Sequence, residues 1–294
     1  MDRLMKSFFF KLSRDLTFRI TLIIGTAMAI GLSLLYFLLQ RFLAAELGLE
    51  GVKLISGQSM LVTSMSPIQN FGIVIPINLI IFVCLEFSQG TIRNKIIAGN
   101  SKLTIYTSLY LTGLVFAISL LSVYVLLCTG LGSIFGGFNL NETVLSGLSG
   151  SKYTLEYLLK MVLICLVTYS CIVSVTVFFA TLFRHIGPCI PVIVILLFAF
   201  YYLSQIVVGV TLFLEEDKAE IVLNVLRVID PLYAIASSEM VGVDPVVVDG
   251  ETVYSSYVTK MHDVTFYGGL ANNLIYGGMF FGFGALIFTK RDIK

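Results

Sequence analysis

Six runs of about 20 apolar residues, parted by short or polar segments, govern what this chain can fold into. They fall at about 18–39, 68–85, 103–128, 154–180, 188–213 and 266–288. Each is long enough to cross ~30 Å of hydrocarbon as a helix rising ~1.5 Å per residue. The second is the shortest and contains Pro76. Charged residues make up only 13% of the chain, against about 25% in a soluble domain. An outer-membrane barrel would show short alternating segments instead. The expected fold is an all-α polytopic membrane protein, one transmembrane domain over 1–294 with six spanning helices. The first run is too long for a signal-peptide core and is read as a retained helix.

Before it, Met1 to Thr17 is basic and aromatic. Leu4, Phe8, Leu12 and Leu16 recur every fourth residue, which predicts an N-terminal interfacial helix over 1–17, its bases towards anionic headgroups.

Lysine and arginine set the orientation. With the N-terminus inside, the inner segments hold twelve bases against four acids, a net of +8. The outer segments hold seven bases and fourteen acids, a net of −7. Both termini are therefore expected in the cytoplasm. Gln40–Pro67 and the Gly- and Asn-rich Thr129–Tyr153 read as outer loops; the latter holds the Asn141-Glu142-Thr143 glycosylation triplet. The last outer segment, 214–265, can carry structure of its own. Ile221, Val225, Leu226 and Ile229 have helical spacing, and Asp230-Pro231 ends that helix. Asp249-Gly250 between β-prone triplets predicts a tight hairpin. A small helix-plus-hairpin cap between the fifth and sixth spans follows.

Several chemistries lack their residues. The five cysteines lie within or at the ends of apolar runs, without CxxC or Cys/His spacing, so neither disulfides nor a metal is expected. His185 and His262 read as loop residues. No Asp, Glu or Lys occupies the centre of a span, which argues against an ion-coupled transporter or an intramembrane protease. Arg19, Glu156 and Lys160 lie near span ends, the last two at i, i+4. No GxxxxGK[ST] phosphate loop occurs, so any ATP hydrolysis belongs to another chain. No catalytic residue, resident cofactor or nucleic-acid partner is expected. In the sixth run Gly278 and Gly282 are spaced for close helix packing.

The most informative polar stretch is 86–102, EFSQGTIRNKIIAGNSK, on the inner side after the second run. TIRNKIIA can form a two-turn helix, with Ile92, Ile96 and Ile97 on one side and Arg93, Asn94 and Lys95 exposed. Gly99-Asn100 reads as a helix stop and Ser101 as the cap of the third span. Pattern alone is equally consistent with an ordinary basic inner loop.

The arrangement E-x-x-x-G-T-I-R-N-K-x-I-x-G-x-S-K resembles the first cytoplasmic loop of ABC-2 permeases, the membrane subunits of ABC exporters. Glu86, Gly90, Thr91, Gly99, Ser101 and Lys102 carry the match, and the ending FGFGALIFTKRDIK, with Phe288, Arg291 and Asp292, is similar to that family's last helix. The resemblance implies two permease chains, as homodimer or heterodimer, around a central pathway in a bacterial plasma membrane. It implies that 86–102 is the coupling helix on which a separate ATPase subunit docks, Arg93, Asn94 and Lys95 included, with ATP and Mg bound by that partner. Glu86 is then a candidate to pair with a base at the inner face. The fifth span offers Phe198, Phe200, Tyr201, Tyr202, Ser204 and Gln205 as pathway lining. Such an uncharged, aromatic lining suits amphipathic or apolar cargo; the resemblance to small bacterial permeases that export antimicrobial or toxic peptides implies a peptide, ahead of drugs or lipids. The alternatives are a membrane sensor or immunity scaffold without an ATPase, and an ion-driven secondary transporter.

Overall fold

The computed structural model describes residues 2–47, 54–66, 72–140, 144–146, 149–211, 213, 216–232, 239–248, 251–261 and 263–291. Most of them are helical. In chain order, α1 is Asp2–Arg14, α2 Leu16–Leu47, α3 Gly57–Met65, α4 Val74–Ser88, α5 Thr91–Ile97 and α6 Lys102–Gly136. Strands β1 (Val144–Ser146) and β2 (Ser149–Tyr153) follow, then α7 (Leu155–Phe183), α8 (Ile186–Thr211) and α9 (Glu216–Ile229). The hairpin β3 (Glu239–Val248) and β4 (Glu251–Lys260) leads into α10 (Asp263–Lys290).

Among the described residues, four helices are long and apolar enough to cross a membrane: α2, α6, α7 and α10. The second expected span is the 15-residue α4, joined to α5 at a 57° bend. The fifth is α8, shorter in its fully described apolar part, Ile186–Tyr202. Several ends move. Gln40 lies inside α2 rather than opening a loop, and its Oε1 accepts from the Leu54 and Ile55 N–H groups, both at 3.0 Å. α6 runs eight residues past its expected end at 128, through the first part of the supposed Gly-rich loop.

The packing of α3 explains that extension. Side chains cannot stand where α3 crosses α6. A Cβ at Gly136 would strike the Ile55 carbonyl, and one at Gly132 the Met60 side chain and the Ser56 carbonyl. The glycines let the backbones meet, and the burial this allows outweighs their low helix propensity. α3 itself starts with a reciprocal Ser56/Ser59 capping box. Gln58 ties it to Asn139, donating to that residue's carbonyl at 2.7 Å.

Small residues also seat α2. Thr21, Gly25, Ala29 and Ser33, spaced by four, are buried, and α2 packs mainly on α6. Several large side chains of α2, Ile23, Leu35 and Leu38 among them, point away from the bundle, while Phe18 and Phe37 meet Phe116 and Phe135 of α6. In α10 the expected pair is corrected: Gly278 and Gly282 face open space. Close approach uses Gly277, against Cys171, and Gly284, against the Tyr106 hydroxyl.

The cap is larger than a hairpin. β3 and β4 pair antiparallel with Val248 opposite Glu251, leaving only Asp249 and Gly250 between them. Those two residues, His262 and the 141–143 triplet lie outside the described residues. β4 also pairs in parallel with β2, giving a four-stranded sheet of order β1-β2-β4-β3 that joins two separate loops. β3 is an edge strand that contains Pro245, and two register shifts interrupt its pairing with β4, as suits an edge. α9 forms where the apolar spacing placed it and stops at Asp230-Pro231. At that sheet end Lys160 bridges Glu156 at 2.7 Å and Asp263 at 2.6 Å.

Candidate functional site: a buried carboxylate between α1, α4 and α5

At the other end of the bundle, α4 continues past Leu85, so Glu86 is helical rather than part of a loop. Its side chain is fully buried. Gly90 then bends the chain with φ 66°, a left-handed conformation that glycine adopts without penalty. The Thr91 hydroxyl donates to the Glu86 carbonyl at 2.9 Å, locking the bend. α5 next returns Lys95 to the same carboxylate, its ammonium donating to Oε2 at 2.9 Å. From α1, Lys11 donates to Oε1 at 2.5 Å and to the Gln89 side-chain oxygen at 3.0 Å. Each carboxylate oxygen thus has its own ammonium, and the two come from different helices.

Phe8 completes the cluster. It is buried, its ring meets Phe82 of α4 edge-on at 6.4 Å, and the Lys95 ammonium stands 3.2 Å over its face. A buried carboxylate is tolerated where ionic partners and hydrogen bonds surround it, and a cation over a ring face adds attraction. The cluster carries one negative and two positive charges.

This geometry corrects three expectations. Lys95 is not an exposed tip: its side chain is only 15% exposed and faces Glu86. Ile97 does not join Ile92 and Ile96 on the inner face; it is 72% exposed. The outward surface of α5 is therefore Arg93, Asn94, Ile97 and Ala98. Nor does α1 keep one apolar face through Leu16, which is exposed at the start of α2 after the break at Asp15. The Leu4 and Leu12 side chains lie outside the described residues.

Both ends of α5 are fixed. Gly99 (φ 86°) donates to the Ile96 carbonyl at 2.9 Å and Asn100 to that of Lys95 at 3.3 Å, the paired bonds of a Schellman stop. Ser101 caps α6 by accepting from the Thr104 N–H at 3.1 Å. Lys102 donates to the Thr289 and Arg291 carbonyls at 3.2 and 2.9 Å, and Arg291 to the Leu182 carbonyl at 2.7 Å. Phe288 bridges Phe87 and Tyr106 by ring contacts. The ends of α4, α6, α7 and α10 thereby form one rim around α5. Arg184 sits on that rim, where burial and then the Arg291 charge lower its pKa.

The aromatic residues of α8 are not brought to this cluster. Phe198 stacks on Tyr202 at 5.7 Å, and Tyr201 meets Tyr202 edge-on. They stand about 20 Å along α8 from its start. The Ser204 and Gln205 side chains and Asp292 lie outside the described residues. Reading the sequence missed Lys11, Phe8, Phe82 and Gln89 as members of the site. One signal was available: a lone acid ending an apolar run requires bases, and Lys11 lies on the same expected inner side.

Among the described residues, no group of three or more His, Cys, Asp or Glu could hold a metal. No protein-family profile, curated protein or solved structure matches this chain.

Proposed function

We propose that this chain is the membrane subunit of an ATP-driven exporter in a bacterial plasma membrane. α2, α4, α6, α7, α8 and α10 are its six spans, and both termini face the cytoplasm. One observation carries the reading. A two-turn helix, α5, is pinned from within by Glu86 and Lys95 while Arg93, Asn94 and Ile97 stand free of the bundle. A short rigid helix with an apolar tip and a base suits the cleft of a soluble motor. Because α4 and α6 flank α5 directly, a push on it reaches two spans at once. The partners are one ATPase per chain, which binds ATP and Mg, and a second permease chain. The chain is no enzyme by itself. Amphipathic peptide is the favoured cargo, on the uncharged aromatic face of α8.

The test is isolation from the native membrane in mild detergent. A soluble ATPase is expected near one per chain, with hydrolysis that falls when Arg93→Glu and Ile97→Asp are combined. A chain that emerges alone, indifferent to ATP, overturns the reading. The two-loop sheet would then favour a sensor or immunity scaffold that binds peptide at the cap.

A further inference from the structure

Two of the five cysteines meet. Cys84 lies on α4, two residues before Glu86, and Cys189 is the fourth residue of α8. Both are buried. Their thiols share a hydrogen bond, and the Cys84 thiol also reaches the Ala180 carbonyl of α7 at 4.0 Å. The other three cysteines have different neighbours. Cys128 bonds to Tyr124, Cys165 donates to the Met65 carbonyl at 3.6 Å, and Cys171 packs against Gly277. Sulfurs already in contact across two helices can close onto each other, whereas cysteines further apart cannot be bridged without moving the backbone.

Burial keeps a thiol inert, because the thiolate is the reactive form. On one side the cover of this pair is weak. Gly187 and Pro188 are exposed. Pro191, inside α8, has no N–H to give the Gly187 carbonyl, so the turn that carries Cys189 lacks a backbone bond. Such a turn opens readily, and its opening uncovers Cys189 at the end of the bundle that holds Glu86. We propose that Cys84 and Cys189 are a site of oxidative modification, closing to a disulfide between α4 and α8 when a hydroperoxide reaches that end. The Cys189 thiolate attacks the peroxide O–O bond, giving a sulfenic acid and releasing an alcohol, or water from hydrogen peroxide. The Cys84 sulfur then attacks the sulfenic sulfur and expels water as the S–S bond forms. The two sulfurs give up two electrons to the peroxide, and the two thiol protons end on the released alcohol and water. The bond ties the start of α8 to the end of α4 beside the Glu86 bend. It forms whether or not an ATPase docks on α5.

The experiment exposes the full chain, reduced and placed in nanodiscs, to hydrogen peroxide. Remaining thiols are blocked with a maleimide after denaturation, and the digest is read by mass spectrometry. The linked peptides holding Cys84 and Cys189 should exceed every other cysteine pair roughly tenfold, since only this pair is in contact. Dithiothreitol should remove the link. Cys84→Ala should leave a sulfenic acid on Cys189 that dimedone traps. Cys189→Ala should lose both the link and the dimedone adduct, because Cys84 stays covered. Pro191→Ala, which restores a donor to the Gly187 carbonyl, should slow the oxidation severalfold. An unchanged rate in Pro191→Ala overturns the route through the first turn of α8. No Cys84–Cys189 link in the unaltered chain, or links spread evenly over the five cysteines, overturns the proposal.

Discussion

Glu86 is the residue on which the α5 end depends. Its two oxygens are held by Lys11 and Lys95, so removing one base is not equivalent to removing the acid. Glu86→Gln leaves two ammonium groups facing a neutral amide, one of them 85% buried. A broken buried pair costs roughly 3–5 kcal/mol. Part of this is screened at Lys11, whose side chain is 36% exposed. We expect Glu86→Gln to lower the thermal midpoint in detergent by several degrees, and Lys11→Met by less. The double variant should lose less than the sum, because the two groups share one interaction. Additive losses would show that Lys11 and Glu86 are energetically separate. Lys95→Glu should resemble Glu86→Gln in its loss of stability. Arg93→Glu should leave the midpoint within a degree, since nothing but surface surrounds Arg93. A large loss in Arg93→Glu would place that residue in the packing instead.

At the scale of elements, α5 and α3 are set by glycine in different ways. Gly99 adopts φ 86° with nothing within 4 Å of where a Cβ would stand. Gly99→Ala therefore meets only backbone strain, about 1 kcal/mol. Gly136→Val meets the Ile55 backbone itself and should detach α3 from α6. The readout is proteolysis at 54–66, which should become rapid in Gly136→Val and remain slow in Gly99→Ala. Equal resistance in both variants would mean that α3 is held by other contacts. These elements also show what a sequence can disclose. The TIRNKIIA helix, its Gly99-Asn100 stop, its Ser101 successor and the α9 segment were all legible, because each rests on bonds within a few residues. α3 was not. It lies in the Gly- and Ser-containing stretch 40–67 that reads as an outer loop, and it is helical and buried because Gly132 and Gly136, some 75 residues away, leave room for it. The parallel pairing of β2 with β4 was hidden for the same reason: its partners are about 100 residues apart. Lys95 was misread because helical periodicity gives the faces of α5 but not which face meets Glu86.

For the whole molecule, the sheet joins the loop after α6 to the segment before α10, while Lys102 and Arg291 join the same helices at the opposite end. α6, α7 and α10 are thus fastened at both ends, whereas α2 rests mainly on α6, through its small residues and the Phe18–Phe116 and Phe37–Phe135 ring contacts. Hydrogen exchange in nanodiscs should find the lowest protection in α2 and α8, and the highest in α6, α7 and α10. Uniform protection would contradict this division. Orientation has its own measurement. Single cysteines at Ser7 and His185, in a background without the native five, should react with an impermeant maleimide only in inside-out vesicles. A cysteine at Lys218 should react only in right-side-out ones.

The Glu86 cluster also bears on the order in which the chain is made. Lys11 leaves the ribosome long before Glu86, and Lys95 follows only nine residues after it. At ~5–20 residues per second, that interval is on the order of one second. The acid therefore enters the membrane surface with one counter-charge already waiting and a second close behind. Synthesis never requires it to sit unpaired in hydrocarbon while a distant helix is awaited. A chain lacking α1 would lose that first partner, so its cost would be felt during insertion, before there is a folded protein to destabilise.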